Sequence, residues 1–558
     1  MLFKRVFDGL RRQPSFWLFL ALLSLFLLLL GHRPFSTPDE GRYVEIPREM
    51  IDSGEWVVPH LNGLPYFEKP PLVYWVEACS MMCLGDSSFA MRLPLALMAW
   101  LGCLIVYFFM KRVGGRQCAL WGAVCLGTNI LYVVLARFLI LDLFLTVFIT
   151  GALFSFFLAT MRPSKTIWLL SYGACMAAAV MTKGLVGCVL PGLIILVWIA
   201  WQRQPQMLIH AFHPYALGMF FLLATPWHVW VAMKNSHFLW FYFIHEHVLR
   251  YTTEVHSRVQ PFFFFVPIVL FGFFPWIAWV RSLTTRSVEA TCPQALFSFL
   301  WVWVMVVFVF FSCGQSKLVP YVLPLFPPLA VLTGYEIHHF LQSPQSRSFP
   351  WVRSIYGLFS LILCVGLWVG RWANWIQVTS GLDANTVLSW GVGVLGLLLL
   401  VQTLMTFWVP LTRRVFVGMV LVCQLVLCLF LIVLDPLVQR YRSIEDVAIT
   451  LNQRNPKARV VVYRFYPQDL PVYLKRTVGM LDYQGELSFG HQISPGNTVV
   501  INTPEIQSLW QHRPCFIVAL ERDFELFQQT YSGILKPARV VYRTAPYVVW
   551  SNDMSVNP

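Results

Sequence analysis

Long apolar runs separated by short polar breaks dominate the first three quarters of the chain. Thirteen such runs of 15 to 22 residues are legible: 16–30, 89–110, 118–135, 143–160, 167–181, 185–201, 215–233, 262–280, 295–311, 319–335, 354–370, 386–407 and 415–434. A helix of about 20 residues crosses a bilayer core of about 30 Å, so the pattern predicts about thirteen transmembrane helices. No small-residue cleavage site follows the first run, which therefore reads as a span and not as a removed leader. An odd number of crossings puts the two termini on opposite sides. After Leu434 the period changes. RVVVY, NTVVIN, CFIVAL and ARVVYR predict strands, and IEDVAITLNQ and RDFELFQQ predict amphipathic helices. The expected fold is thus a polytopic α-helical membrane protein, a transmembrane region over 1–434 followed by a soluble α/β domain over 435–558.

The longest polar break, 31–88, falls early. TPDEGRYVEIPREMIDSGEW predicts a helix with Thr37 as N-cap, Pro38 at the first helical position and Asp39 and Glu40 in the first turn. A second helix is expected from near Pro70 through LVYWVEACSMM. Apolar and aromatic faces on both suggest that they lie along the membrane surface.

Composition agrees with this picture. At 57% hydrophobic, 12% charged and mean hydropathy +0.63, a chain of 558 residues is too apolar for a soluble protein. Charge then orients it. With the N-terminus cytoplasmic, the seven segments on that side carry sixteen Lys/Arg against three Asp/Glu, and the six opposite loops carry eleven against thirteen. This follows the positive-inside rule, and places 31–88 and the tail outside the cytoplasm. The net charge of +14 is mostly cytoplasmic anchoring and calls for no nucleic-acid partner. The thirteen cysteines give no disulfide framework, since most fall inside predicted spans. Cys79 and Cys83, at helical spacing on an apolar stretch, read as core packing.

Against this background the charged residues of the outer loops stand out. In YFEKPPLVYW, Tyr66, Glu68 and Lys69 precede a stiff Pro-Pro start to a helix, whose N-terminus favours anions. A salt-bridged surface turn is the plain alternative. Short outer loops also hold Arg137, Lys183, Lys317, Arg250 and Arg258 tight against apolar segments. Ionisable groups at membrane depth are costly and mark binding pathways, and a set of cations on one side suits phosphate headgroups. Asp39, Asp142 and Glu246 accompany them. Asp142, flanked by apolar residues in RFLILDLF, needs Arg137, another cation or a metal as partner. His245, His247 and His256 in FIHEHVLRYTTEVH lie near enough in sequence for a divalent metal with Glu68 or Glu246, zinc suiting His/Glu ligands and magnesium preferring oxygen.

An acidic pair in a long first outer loop, then YFEKPPL, RFLILD, TKG, EHVLRY and SKLVPYVLPLFPPLA in this order, resembles the polyisoprenyl-phosphate-dependent glycosyltransferases of the GT-C fold. Within that group the chain is most similar to the bacterial aminoarabinose transferases that modify lipid A, relatives of the protein O-mannosyltransferases. The resemblance spans nearly all of the membrane region. It implies a multi-pass protein of the bacterial inner membrane, with the N-terminus cytoplasmic and the active site and C-terminal domain periplasmic. The implied activity is inverting transfer of a sugar, 4-amino-4-deoxy-L-arabinose, from an undecaprenyl-phosphate carrier to a lipid A phosphate. Such lipopolysaccharide modification would give resistance to cationic peptides and polymyxin. Asp39, Asp142 and Glu68 then match reaction-centre positions. Glu40, Tyr66, Lys69, Arg137, Lys183, Arg250, Arg258, Lys317 and Tyr321 match or adjoin positions for the donor phosphate and lipid. Glu68 and His247 match a pair implied to hold a metal.

Charge suggests the mechanism. Lys and Arg neutralise the departing lipid phosphate. A phosphate acceptor needs little general-base help, so Asp39 would orient the sugar, whereas a hydroxyl acceptor would make Asp39 the base. Transfer of a different carrier-linked sugar, mannose or a hexosamine, to protein or envelope glycan remains open. A lipid flippase is disfavoured because the charges gather on one side and no internal repeat is evident.

Overall fold

Each of the thirteen apolar runs carries helix in the structure, a computed structural model. It describes residues 13–161, 166–249, 260–279, 293–342, 350–372, 382–408, 413–440, 443–494, 496–536, 538–544 and 546–552. The chain divides into two compact units, Met1–His32 with Arg92–Leu437, and Arg33–Met91 with Val438–Pro558.

The first unit is helical. Among the described residues four helices are long and apolar enough to cross a membrane: Ser88–Val113, Leu141–Met161, Pro205–Lys234 and Gln294–Cys313, with shorter apolar helices such as Pro14–Leu27 and Val186–Gln202 beside them. Leu141–Met161 is central. Almost all its residues are buried, and it packs on Thr166–Lys183, with Phe154 stacked on Phe109 at 3.8 Å. Pro205–Lys234 is the opposite case, with Leu222, Trp230 and Met233 largely exposed. Apolar surface of this extent belongs against lipid, and the chain is a multi-pass membrane protein. The run 118–135 breaks into Gly115–Gly127 and Ile130–Leu135. Asn129 makes the break tolerable inside the bundle, because its Oδ1 accepts from Tyr132 N at 2.9 Å and its Nδ2 donates to the Leu126 carbonyl at 2.7 Å.

The second unit joins residues 33–91 to the C-terminal segment. A six-stranded sheet runs in the order β5-β4-β3-β6-β8-β7, with β3 at Arg459–Tyr463, β4 at Gly479–Leu481, β5 at Val500–Ile501, β6 at Cys515–Leu520, β7 at Arg539–Thr544 and β8 at Tyr547–Ser551. β3 to β6 are mutually parallel and β8 pairs antiparallel with both β6 and β7. After Arg459, the runs RVVVY and CFIVAL are apolar because β3 and β6 are central strands, and Val461, Ile517, Phe527 and Trp550 share the core. The strands and helices expected from this tail are all present. β4, β8 and the helix Thr503–His512, which Asn502 and Glu505 cap reciprocally, are additional.

The loop segment adds a two-residue ladder, β1 at His60–Leu61 with β2 at Leu64–Pro65. Asn62 and Gly63 take positive φ at its turn, the conformation that an Asn-Gly pair accepts readily. Asn62 then exchanges two hydrogen bonds with the Val478 backbone, at 2.9 and 2.8 Å, and Asn497 Nδ2 donates to the Gly63 carbonyl at 2.8 Å.

Two sequence expectations need correcting. The helix Asp39–Ser53 is preceded by Pro38 at the N-cap, and Thr37 does not cap it. Thr37 Oγ1 lies 3.2 Å from Gln468 Oε1, so a tertiary contact outcompetes the local one. In the helix Leu72–Leu84, Cys79 and Cys83 are exposed and free, not packed in a core, because Val73, Tyr74, Glu77 and Met81 form the buried face.

Candidate functional site

In the membrane unit, Asp142 sits in the first turn of Leu141–Met161 and Lys183 is the last residue of Thr166–Lys183. Each charge opposes the dipole at its own helix end, which favours both positions. The two side chains meet, Lys183 Nζ donating to Asp142 Oδ1 at 2.6 Å. The same ammonium lies 4.6 Å from the centre of the Tyr321 ring. Of the partners open to Asp142 from the sequence, the structure therefore gives another cation, Lys183. Arg137 is buried and turns its guanidinium to the Leu28 and Leu29 carbonyls. Lys317, also buried, donates to the Gly314 and Gln260 carbonyls at 2.7 and 2.9 Å, covering the end of Gln294–Cys313. His245 Nδ1 lies 3.1 Å from the buried carboxylate of Glu246. Arg250, Arg258 and His256 lie outside the described residues, as does the side chain of His247.

In the second unit the helix Asp39–Ser53 sorts its acidic pair. Glu40 is fully buried. Arg33 binds both its oxygens, at 2.7 and 2.9 Å, and the Ser36 N–H donates to it at 3.0 Å. Asp39 is the available member, its side chain 52% exposed. One turn on, Arg42 contacts Asp39 at 3.3 Å and Glu486 at 2.5 Å, and Glu486 accepts from Gln468 Nε2 at 2.5 Å. Burial pushes the Glu486 carboxyl up in spite of the Arg42 charge. Tyr66, Tyr43 and Tyr74 complete this buried patch. Tyr43 stacks on Tyr74 at 6.1 Å, and among the described residues the Tyr66 and Tyr74 hydroxyls have no hydrogen-bond partner. Buried hydroxyls without partners are costly and call for a partner from outside the chain, a water or a ligand. Lys69 folds back on its neighbour, with Nζ 2.7 Å from the Glu68 carbonyl and 3.9 Å from the carboxylate.

The sequence reading thus named Asp39, Glu40, Tyr66, Glu68 and Lys69 in one unit, and Arg137, Asp142, Lys183, Lys317 and Tyr321 in the other. It missed Arg33, Arg42, Gln468 and Glu486. Arg42 had a signal, standing three residues after Asp39 on one helix face. Glu486 had none. No group of three or more His, Cys, Asp or Glu arranged for a metal occurs among the described residues.

Residues 11–242 match the model of the dolichyl-phosphate-mannose-protein mannosyltransferase family, and residues 447–552 match that of the aminoarabinose transferase C-terminal domain. The undecaprenyl phosphate-alpha-4-amino-4-deoxy-L-arabinose arabinosyl transferase of Aeromonas salmonicida is 32% identical over 350 residues, 61% of this chain and 63% of the relative. The enzyme of the same description from Erwinia tasmaniensis is 34% identical over 58% of each chain. The matched region thus spans just under two thirds of these relatives. Crystal structures of ArnT from Cupriavidus metallidurans superimpose over nearly the full length. The form bound to undecaprenyl phosphate has TM-score 0.82 at 27% identity, covering 98% of this chain and 100% of that one, and the apo form has TM-score 0.80.

Proposed function

We propose that the chain is an aminoarabinose transferase of the GT-C class, which transfers 4-amino-4-deoxy-L-arabinose from an undecaprenyl-phosphate carrier to a lipid A phosphate. The site would lie on the periplasmic side of the bacterial inner membrane. The resemblance to proteins described as arabinosyl transferases, and to a structure bound to undecaprenyl phosphate, supports the donor.

The observation that carries the reading is the division of labour at Asp39 and Glu40. Glu40 is consumed by Arg33, while Asp39 keeps an exposed carboxylate beside Arg42. A fixed carboxylate of this kind can hold sugar hydroxyls and stabilise positive charge as it grows at the anomeric carbon. In the proposed step an oxygen of the acceptor phosphate attacks that carbon from the face opposite the carrier. The bond from the anomeric carbon to the carrier phosphate oxygen breaks, its electron pair leaves with the undecaprenyl phosphate, and configuration inverts. Because the attacking phosphate is already anionic, no proton has to be removed. Lys69, in the same unit as Asp39, is the cation assigned to a phosphate, and Tyr66 with its unpartnered hydroxyl is assigned to the sugar.

The test is transfer in detergent by the purified full chain, with lipid A product read by mass spectrometry. Wild type should modify lipid A with the aminoarabinose donor and not with mannose or hexosamine donors, and Asp39→Asn should lose turnover while retaining the donor. Transfer only from another donor, or Asp39→Asn activity equal to wild type, would overturn the reading.

A further inference from the structure

The C-terminal segment meets the start of the helix Asp39–Ser53 through the loops that follow β3 and β4, which carry Gln468 and Glu486. Loops at the carboxyl ends of parallel strands are where open α/β sheets place working residues. Four contacts grip the chain on either side of Asp39. The Phe35 N–H donates to Tyr473 Oη at 2.7 Å, and Thr37 Oγ1 donates to Gln468 Oε1 at 3.2 Å. The backbone of Gln468 and Asp469 lies so close to Gly41 that no Cβ fits there. Arg42 donates to Glu486 Oε2 at 2.5 Å.

Gln468 joins these contacts. It is buried, and while its Oε1 accepts from Thr37 its Nε2 donates to Glu486 Oε1 at 2.5 Å. Arg42, held by the other oxygen of Glu486, reaches Asp39 at 3.3 Å. One amide is thus tied to the residue two before Asp39 and, through Glu486 and Arg42, to the Asp39 carboxylate itself. An amide suits the place because it donates and accepts at once. A carboxylate there could accept from Thr37 but would face a second carboxylate, and an alkyl group could do neither. The loop is itself fixed, since Asp469 Oδ2 accepts from Ser443 Oγ at 3.1 Å and from Ile444 N at 3.0 Å. A functional group is held to the tolerance that chemistry needs only when its supports are locked in this way.

We propose that Gln468 is a positioning residue for Asp39, through which the C-terminal segment sets where that carboxylate stands. Gln468 acts by way of Thr37, Glu486 and Arg42 and does not touch the substrate. The proposal rests on the reading that Asp39 works at the sugar.

Two readouts on the purified full chain in detergent test it, and the first needs no sugar transfer. In Gln468→Leu, backbone hydrogen exchange between Thr37 and Tyr43 should quicken by about two- to tenfold, the equivalent of one hydrogen bond. Exchange in β3 and β6 should stay as in wild type. Unchanged exchange at 37–43, or equal quickening in β3 and β6, would overturn the proposal whether or not wild type transfers sugar. The second readout is steady-state transfer. Gln468→Leu should lower kcat by about 10–100-fold with KM for the donor within about twofold of wild type. Gln468→Glu should also lower kcat, and adding Glu486→Gln, which exchanges amide and carboxylate across the same contact, should recover about three- to tenfold. Thr37→Val removes one arm and leaves Gln468 in place, so it should show the same signs more weakly and decides the matter if Gln468→Leu does not fold. An active wild type whose kcat is unmoved by Gln468→Leu and Thr37→Val, or a loss in Gln468→Glu that Glu486→Gln does not recover, would overturn the proposal. A wild type that transfers no sugar would count against the proposed function, and exchange would still decide whether Gln468 holds the Asp39 turn.

Discussion

Lys183 Nζ lies 2.6 Å from Asp142 Oδ1, so the last residue of one long helix is tied to the first turn of the preceding one across a mostly buried contact. Removing one partner leaves the other charge uncompensated. Asp142→Asn or Lys183→Met alone should destabilise the membrane unit by about 3–5 kcal/mol. The double variant should recover part of this, with a coupling of about 1–3 kcal/mol in the cycle. Thermal unfolding of the four proteins in one detergent measures it. Additive losses would mean that the pair is not energetically linked.

Arg42 holds Asp39 and Glu486 together, at 3.3 and 2.5 Å, and so positions the one exposed carboxylate of the acidic pair. Arg42→Met should lower kcat for sugar transfer by about 10–100-fold, the scale on which small misplacements of a reacting group act. Donor binding should change less. Glu486→Gln should have a smaller effect of the same kind, since an amide can still accept from Arg42. A rise in KM at unchanged kcat would instead make Arg42 a binding residue.

Glu49 makes the second unit sensitive to pH. Burial, together with the charge of the neighbouring Glu45, pushes its carboxyl up to about 8. Below the ordinary carboxylate value Glu49 is protonated in both folded and unfolded chains. Between about 4.5 and 8 the folded state keeps a proton that the unfolded state has released, so stability must fall as pH rises through this window. Asp469, which burial pushes up to about 6, acts with the same sign over a narrower range. Unfolding of the full chain followed from pH 6 to 9 should show the decline, and Glu49→Gln should flatten its upper part. A slope unchanged by Glu49→Gln would rule this group out as its source.

Gly41 sits where the helix Asp39–Ser53 passes against the backbone of Gln468 and Asp469. A methyl group there would fall 2.3 Å from Asp469 N and 2.5 Å from the Gln468 carbonyl carbon. Backbone cannot swing aside as a side-chain end can, so Gly41→Ala should cost about 1–3 kcal/mol. It should also shift Asp469, whose Oδ2 accepts from Ile444 N at 3.0 Å just ahead of the helix Glu445–Arg454. Thermal unfolding of the variant checks the cost, and a Tm equal to wild type would show that the segments separate freely.

Hydropathy and local spacing were enough to establish the thirteen apolar runs, the α/β tail and most of the charged residues worth naming. Such features are written into short windows, since a bilayer selects for runs of fixed length and a half-buried strand or helix imposes its own period. Partners were another matter. Asp142 needed a cation, and nothing local could say that it would be Lys183 and not the nearer Arg137, because helix packing decides which ends meet. Arg42 and Glu486 stand 444 residues apart, and Asn62 and Val478 stand 416 apart. Sequence distance carries no information about such encounters. That Arg33 would occupy Glu40 and leave Asp39 exposed, and that residues 33–91 would form one compact unit with 438–558, was settled only by tertiary structure, where burial makes each polar group take the partner within reach.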